Sequence, residues 1–373
     1  MSDHRLRPGE CGAATGSSGD ERMLKELCQV REVRHGHQGV IFNDAGAATH
    51  PPAAGWAAAA HGSASGTAGV GSDGFSTRKG LDTVMATQML ETPEVDLAYD
   101  VHGPLPTADG RPPLVMIGQP MDASGFGTLA SHFPERTVVT YDPRGLGRST
   151  RKDGRVDHEP RTQAADVHAV IMALGAGPVE MFASSGGAVT ALALVAAYPD
   201  EVTTLVAHEP PLIPVLPDAQ AAERARAGVR DAYQDKGSGA GMAAFIAMTS
   251  WQGEFTDDYF DQPAPDPAAF GMPTDDDGSR DDPLLSDRSW AISSYRPDVD
   301  ALTAAPTRVV IAVGEESRDT FTGRTAVATA KLLGQQATVF PSHHGGFLGG
   351  EFGYAGQPEA FARKLRAVLD DAS

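Results

Sequence analysis

The sequence predicts an α/β protein with a mostly parallel sheet covered on both faces. Short, near-continuously apolar runs alternate with helical patterns from about residue 94 to the end, and strands apolar on both sides belong to sheets buried on both faces. The alternation breaks once, between about 214 and 300. There, helical patterns and Pro-rich connectors such as QPAPDPAAFGMP contain no convincing strand. This predicts a helical cap inserted after a core strand. The expected organisation is an N-terminal extension over 1–84, a core over 85–213 and 301–373, and a cap over 214–300.

The expected strands are Val95–Val101, Leu114–Gly118, Thr137–Asp142, Val179–Ala183, Thr203–Glu209, Arg308–Val313 and Ala337–Phe340. Helices are expected over Gly125–Phe133, Thr162–Leu174, Gly187–Tyr198, Thr322–Leu333 and Glu359–Leu369. In the cap they are expected over Asp218–Gln234, Ala240–Trp251 and Asp287–Tyr295. Right-handed crossovers put the C-terminal ends of parallel strands on one edge, where ligands bind in such sheets.

The extension differs in composition. Asn43 to Gly80 holds 11 Ala, 8 Gly and 4 Ser with no sustained period, which predicts disorder, because such a segment buries too little apolar surface. A chain beginning at Met85 is expected to fold. The net charge of −19 argues against nucleic acid and anionic membrane partners. From Glu254 to Asp300, 13 acidic residues face three arginines and no lysine; this reads as a solvated face or as an entrance that disfavours anionic substrates. The two cysteines, Cys11 and Cys28, cannot staple the rest of the chain. No apolar run approaches the ~20 residues of a membrane span, and MSDHRLRPGE lacks a signal-like apolar region. The expected location is cytoplasmic.

The chemistry centres on VEMFASSGGAVTALALVAAYP, a strand that meets two serines and two glycines and then becomes an apolar helix. A nucleophile held on such a turn needs small residues two before and two after it. Centred on Ser185 these are Ala183 and Gly187; centred on Ser184 the first is the bulky Phe182. Ser185 is therefore the candidate nucleophile. A serine needs a base, and the base an orienting carboxylate. The late loop VFPSHHGGFLGGEFG offers His343 and His344. His344, directly before Gly345-Gly346-Phe347, is the less crowded and is preferred.

Four pieces in order, LVMIGQP, YDPRGLGRS, ASSGG and HHGGF, resemble the α/β-hydrolase fold family over about residues 94–373. The resemblance implies an oxyanion hole made by the N–H groups of Gln119 and Gly186. Many members carry His-Gly where this chain has Ile117-Gly118. It also implies that DPRGLGRS (Asp142, Arg144, Gly147) shapes a turn beside the site. The acid has two family locations. After the strand Arg308–Val313 the usual register falls on Ser317, flanked by Glu315, Glu316 and Asp319; after the strand that follows the elbow helix stands Glu209 in LVAHEPP. Glu209 is preferred, as in members that include some lactone hydrolases and dehalogenases, with Glu316 as the alternative.

The expected function is a serine hydrolase that cleaves a carboxylic ester or lactone through an acyl-enzyme on Ser185, without a cofactor. Its expected partner is a small, uncharged, ester-like substrate; self-association into a homo-oligomer is left open. Acyl transfer, perhydrolysis, C–C bond hydrolysis and a non-catalytic small-molecule receptor remain alternatives. Met242, Phe245, Met248, Trp251, Phe255 and Trp290 either line a pocket in the cap or pack the cap onto the core. PTDDDGSRDDP fails as a calcium loop, with Pro273 at its first ligand position and Leu284 at its twelfth.

Overall fold

The computed structural model describes residues 85–353 and 355–371; the 1–84 extension, with Cys11 and Cys28, lies outside the described residues. The strands are β1 (Met85–Glu91), β2 (Val95–His102), β3 (Leu114–Ile117), β4 (Val138–Tyr141), β5 (Thr150–Arg151), β6 (Val179–Ser184), β7 (Val202–His208), β8 (Arg308–Gly314) and β9 (Thr338–Phe340). They form one sheet in the order β1-β2-β4-β3-β6-β7-β8-β9, with β5 beside β2. Pairing is parallel from β4 to β9, while β2 runs antiparallel to β1, β4 and β5.

Side-chain alternation in the strands builds two cores. On β3, Leu114 and Met116 join Phe182, Val206 and Ala312 on one face. Val115 and Ile117 join Met181, Ala183, Leu205 and Ile311 on the other. Successive residues point to opposite faces, so a strand buried on both sides reads as an unbroken apolar run. Helices α1 (Gly127–Ser131) and α9 (Pro358–Asp370) cover the first face. Helices α2 (Pro160–Leu174), α3 (Gly186–Ala197) and α8 (Phe321–Leu332) cover the second. Ten of the twelve residues of α3 are buried, which its all-round apolar sequence requires.

Two strands go beyond the sequence reading. The edge strand β1 is joined to β2 by a tight turn in which Thr92 Oγ1 accepts from Val95 N–H at 3.0 Å. It lacks the apolar, β-branched signature because half-exposed edge residues such as Met89 have little to bury. Strand β5 is two residues long, below what periodicity can register.

Between β7 and β8 lie α4 (Ala219–Ser250), α5 (Asp257–Phe260), α6 (Trp290–Ser293) and α7 (Val299–Ala304). The two helices expected before Trp251 are both present within α4, which leaves the helical conformation between them at Gly237 (φ 84°, ψ −172°). A Cβ at Gly239 would stand 1.8 Å from the Pro273 carbonyl oxygen, so the glycines admit a crossing chain. This insertion has its own apolar cluster of Ile213, Leu216, Val229, Tyr233, Met248, Phe255 and Leu285, joined by Phe321 of α8. Met242, Phe245 and Trp251 pack against it, so five of the six apolar residues expected in the cap serve this cluster. No described helix is long and apolar enough to cross a membrane.

Candidate active site

The site forms where β6 and β7 end side by side. Ser184 and His208, the last residues of the two strands, are register partners. The next residue on each strand adopts a left-handed backbone: Ser185 at φ 56° and Glu209 at φ 48°. Non-glycine residues rarely do so, and such strain gathers at functional sites. At Ser185 it follows from the turn. Ser185 N–H donates to the His208 carbonyl at 2.9 Å, and its own carbonyl accepts the Ala188 N–H at 2.9 Å to open α3. Serine is a preferred helix N-cap, yet this hydroxyl makes no capping bond and is left for other work. The small neighbours are required. A Cβ at Gly187 would stand 2.7 Å from Gly118 Cα and 2.8 Å from the Ile117 carbonyl oxygen, and Ala183 is fully buried.

The adjacent serine turns inward. Ser184 is buried and its hydroxyl meets His208 Nδ1 at 3.2 Å. Of the two, Ser185 is the one whose side chain is not tied into the core.

Glu209 is wholly buried and fully hydrogen-bonded. Its Oε1 accepts from Gly314 N–H at 2.8 Å and from the Ser317 hydroxyl; its Oε2 accepts from the Thr322 hydroxyl at 2.6 Å and from His344 Nδ1 at 2.6 Å. Burial alone would push this carboxyl up. The hydrogen bond and charge of His344, then His208 and Ser317, outweigh it and hold Glu209 well below the ordinary carboxylate range. Ser317, which occupies the commoner register for the acid, thus donates to a carboxylate delivered by the neighbouring strand. Glu315, Glu316 and Asp319 are exposed, and among the described residues none bonds to either loop histidine.

The two loop histidines divide their roles. His343 Nδ1 accepts the Gly345 N–H at 3.1 Å, closing a local turn. His344 is 39% exposed at its side chain and spends Nδ1 on Glu209, which leaves Nε2 as the basic nitrogen. Among the described residues no hydrogen bond joins Ser185 Oγ to His344; such bonds often tighten only with substrate in place.

The two expected oxyanion donors are not equivalent. Gln119 N–H makes no hydrogen bond among the described residues, whereas Gly186 N–H donates to the Gln119 carbonyl at 3.2 Å. The expected pair of open donors is therefore one open and one engaged, because the loop after β3 lies so close that a Cβ at Gly186 would stand 2.9 Å from that carbonyl oxygen. The DPRGLGRS turn braces this loop. Asp142 accepts from Ala123 N–H at 3.0 Å and Arg148 N–H at 2.8 Å, and Arg144 forks onto Asp166 at 2.5 and 2.6 Å. Among the described residues no cluster of His, Cys, Asp or Glu could hold a metal. An open groove of about 610 Å³ lies elsewhere, lined by Glu159, Arg161, Asp287, Trp290, Tyr295 and Arg296 among others, and not by Ser185 or His344.

Residues 119–237, which span the elbow and the start of the insertion, match the family model described as the alpha/beta hydrolase fold. The chain has the α/β-hydrolase fold. The chain is 27% identical over 295 residues to an uncharacterized hydrolase, YraK, of Bacillus subtilis, covering 75% of this chain and 95% of that one. It is 30% identical over 98 residues to a proline iminopeptidase of Xylella fastidiosa, 26% of this chain and 31% of the relative. Similar solved structures include a bromoperoxidase from Bacillus anthracis (TM-score 0.50, 18% identity, 77% of this chain and 100% of that one). Another is an enol-lactonase from Burkholderia xenovorans (TM-score 0.50, 16% identity, 74% and 97%). At these identities the likeness is one of fold.

Proposed function

We propose that this α/β-hydrolase is a serine hydrolase that cleaves an uncharged carboxylic ester or lactone through an acyl-enzyme on Ser185. The observation that carries the reading is the 2.6 Å bond from His344 Nδ1 to the buried Glu209, formed beside a serine whose hydroxyl is spared by its left-handed turn. His344 Nε2 takes the Ser185 proton as Oγ attacks the carbonyl carbon. Glu209 holds the imidazole in the productive tautomer and stabilises the imidazolium. Gln119 N–H meets the developing oxyanion, and Gly186 N–H joins it by leaving the Gln119 carbonyl; such a donor contributes about 3 kcal/mol to lowering the barrier. His344 then protonates the leaving alkoxide, and a water deprotonated by His344 releases the acid and restores Ser185. No step calls for a cofactor. The acidic surface, −19 overall, favours uncharged substrates over anionic ones.

The test is a panel of p-nitrophenyl esters and lactones of graded acyl length, run with the wild type and Ser185→Ala. Steady turnover by the wild type and its loss in the variant are expected. Full activity in Ser185→Ala ends the assignment, and labelling by a fluorophosphonate probe without turnover would make the protein a receptor.

A further inference from the structure

Two histidines flank the Glu209 carboxylate, and only one reaches solvent. His208 is wholly buried and has no part in the chemistry above. Its Nδ1 lies 3.2 Å from Ser184 Oγ, its Nε2 3.8 Å from Glu209 Oε1, and its ring 5.9 Å from that of His344. Phe182, Phe340, Phe347 and Phe361 box the ring at centroid distances of 5.3 to 6.3 Å. A polar ring set among four phenyls is costly unless its polar atoms are used.

We propose that Ser184 and His208 form a clasp between β6 and β7, and that His208 is a positioning residue for Glu209. The inference rests on the serine-hydrolase reading. Ser184 and His208 make the only side-chain to side-chain hydrogen bond between these two strands among the described residues. The residue after each carries the strained backbone that aims Ser185 and Glu209. Any slip between the strand ends would move the nucleophile relative to the acid.

The clasp also sets a tautomer. A neutral imidazole has one N–H. With the Ser184 hydroxyl donating to Nδ1, that N–H sits on Nε2, which makes no hydrogen bond among the described residues but, 3.8 Å from Glu209 Oε1, turns its positive end toward the carboxylate. The opposite tautomer would aim a lone pair at a carboxylate. His208 thus reinforces the Oε1 side already held by Gly314 and Ser317, leaving Oε2 for His344. Burial holds His208 down to about 4 against the pull of Glu209, so it stays neutral and does not compete with His344 for the proton.

The experiment measures p-nitrophenyl butyrate hydrolysis and the rate of fluorophosphonate labelling of Ser185, with thermal midpoints, for His208→Leu, His208→Gln and Ser184→Ala in the full chain. His208→Leu is expected to lower kcat and the labelling rate about 10- to 100-fold with KM nearly unchanged, as misplacement of a positioned group does. His208→Gln, whose amide N–H stands near the lost Nε2–H, recovers part of it, and Ser184→Ala falls in between. In a Glu209→Gln background the His208→Leu change costs little more, because the two act as a unit. Wild-type kcat in His208→Leu, or equal fold-losses in both backgrounds, overturns the clasp. If His208→Leu does not fold, wild-type kcat and labelling in Ser184→Ala overturn it instead. Activity surviving in Ser185→Ala sinks the hydrolase reading; its loss there, with full activity in His208→Leu, sinks the clasp alone.

Discussion

The edge where β6 and β7 end and the insertion between β7 and β8 are built in opposite ways. At the edge, backbone decides. Parallel register sets Ser184 beside His208, two left-handed residues follow, and glycines at 186 and 187 admit the loop after β3. In the insertion, side chains decide. Arg224 lies 3.5 Å over the Phe260 ring and Arg226 4.6 Å over Trp290; Arg280 pairs with Asp276 at 2.6 Å, and Asp282 caps Leu284 and Leu285. Backbone geometry is intolerant of substitution, whereas cation–π and ion pairs between partly exposed side chains each contribute about 1 kcal/mol. The proposed chemistry therefore draws on the part fixed by backbone, and the insertion is free to vary around it.

The sharpest test of this contrast is at the edge. Glu209→Gln is expected to lower kcat about 10³- to 10⁴-fold, in line with loss of the orienting acid in such triads, while Glu316→Gln leaves kcat unchanged. The reverse result in ester hydrolysis would move the acid to the loop after β8.

Next is Gly187→Ala. Its Cβ would stand 2.7 Å from Gly118 Cα, a backbone atom that cannot swing aside. Unfolding in urea should show about 1–3 kcal/mol of destabilisation, with reduced activity. A neutral effect would mean that the elbow is looser than its contacts imply.

A third test uses pH. His158 and His208 are both buried and held down to about 4; for His158 burial comes first, then the positive charges of Arg151 and Arg288. The unfolded chain takes up these protons near pH 6.5 and the folded chain does not. The stability they contribute is therefore full above about 6.5 and declines as pH falls toward 4, by about 1.4 kcal/mol per pH unit for each histidine. Both ring nitrogens of His158 lack partners, so His158→Phe forfeits no hydrogen bond and should halve this part of the slope. An unchanged slope in pH-dependent urea unfolding would contradict it.

The smallest effect belongs to the insertion. Arg226, half-buried on the Trp290 ring, is pushed down to about 10 by burial, against the pull of Glu223 and Asp287. Arg226→Met should cost about 0.5–1 kcal/mol and alter KM across the ester panel while sparing kcat. A kcat loss comparable with that of Glu209→Gln would erase the distinction between the regions.

Much of this was legible in the chain. The doubly covered parallel sheet is written in apolar runs at 114–117, 138–141 and 179–184. The frame of small residues around Ser185 follows from one turn and its neighbours. The strand β1 was not legible, since an exposed edge has little apolar pattern to show. Nor was His208, whose one signal is a polar residue closing an apolar strand; burial, not spacing, gives it meaning.

Local sequence, then, determined the sheet, the elbow and which serine turns outward, because each depends on residues a few positions apart. Tertiary structure decided which carboxylate meets His344, how Ser317 comes to serve it, and that Gly186 N–H first meets the Gln119 carbonyl. Those contacts join residues 67 to 135 positions apart. Such distances close only when strands pair, and no local pattern encodes which of several acidic side chains will arrive there.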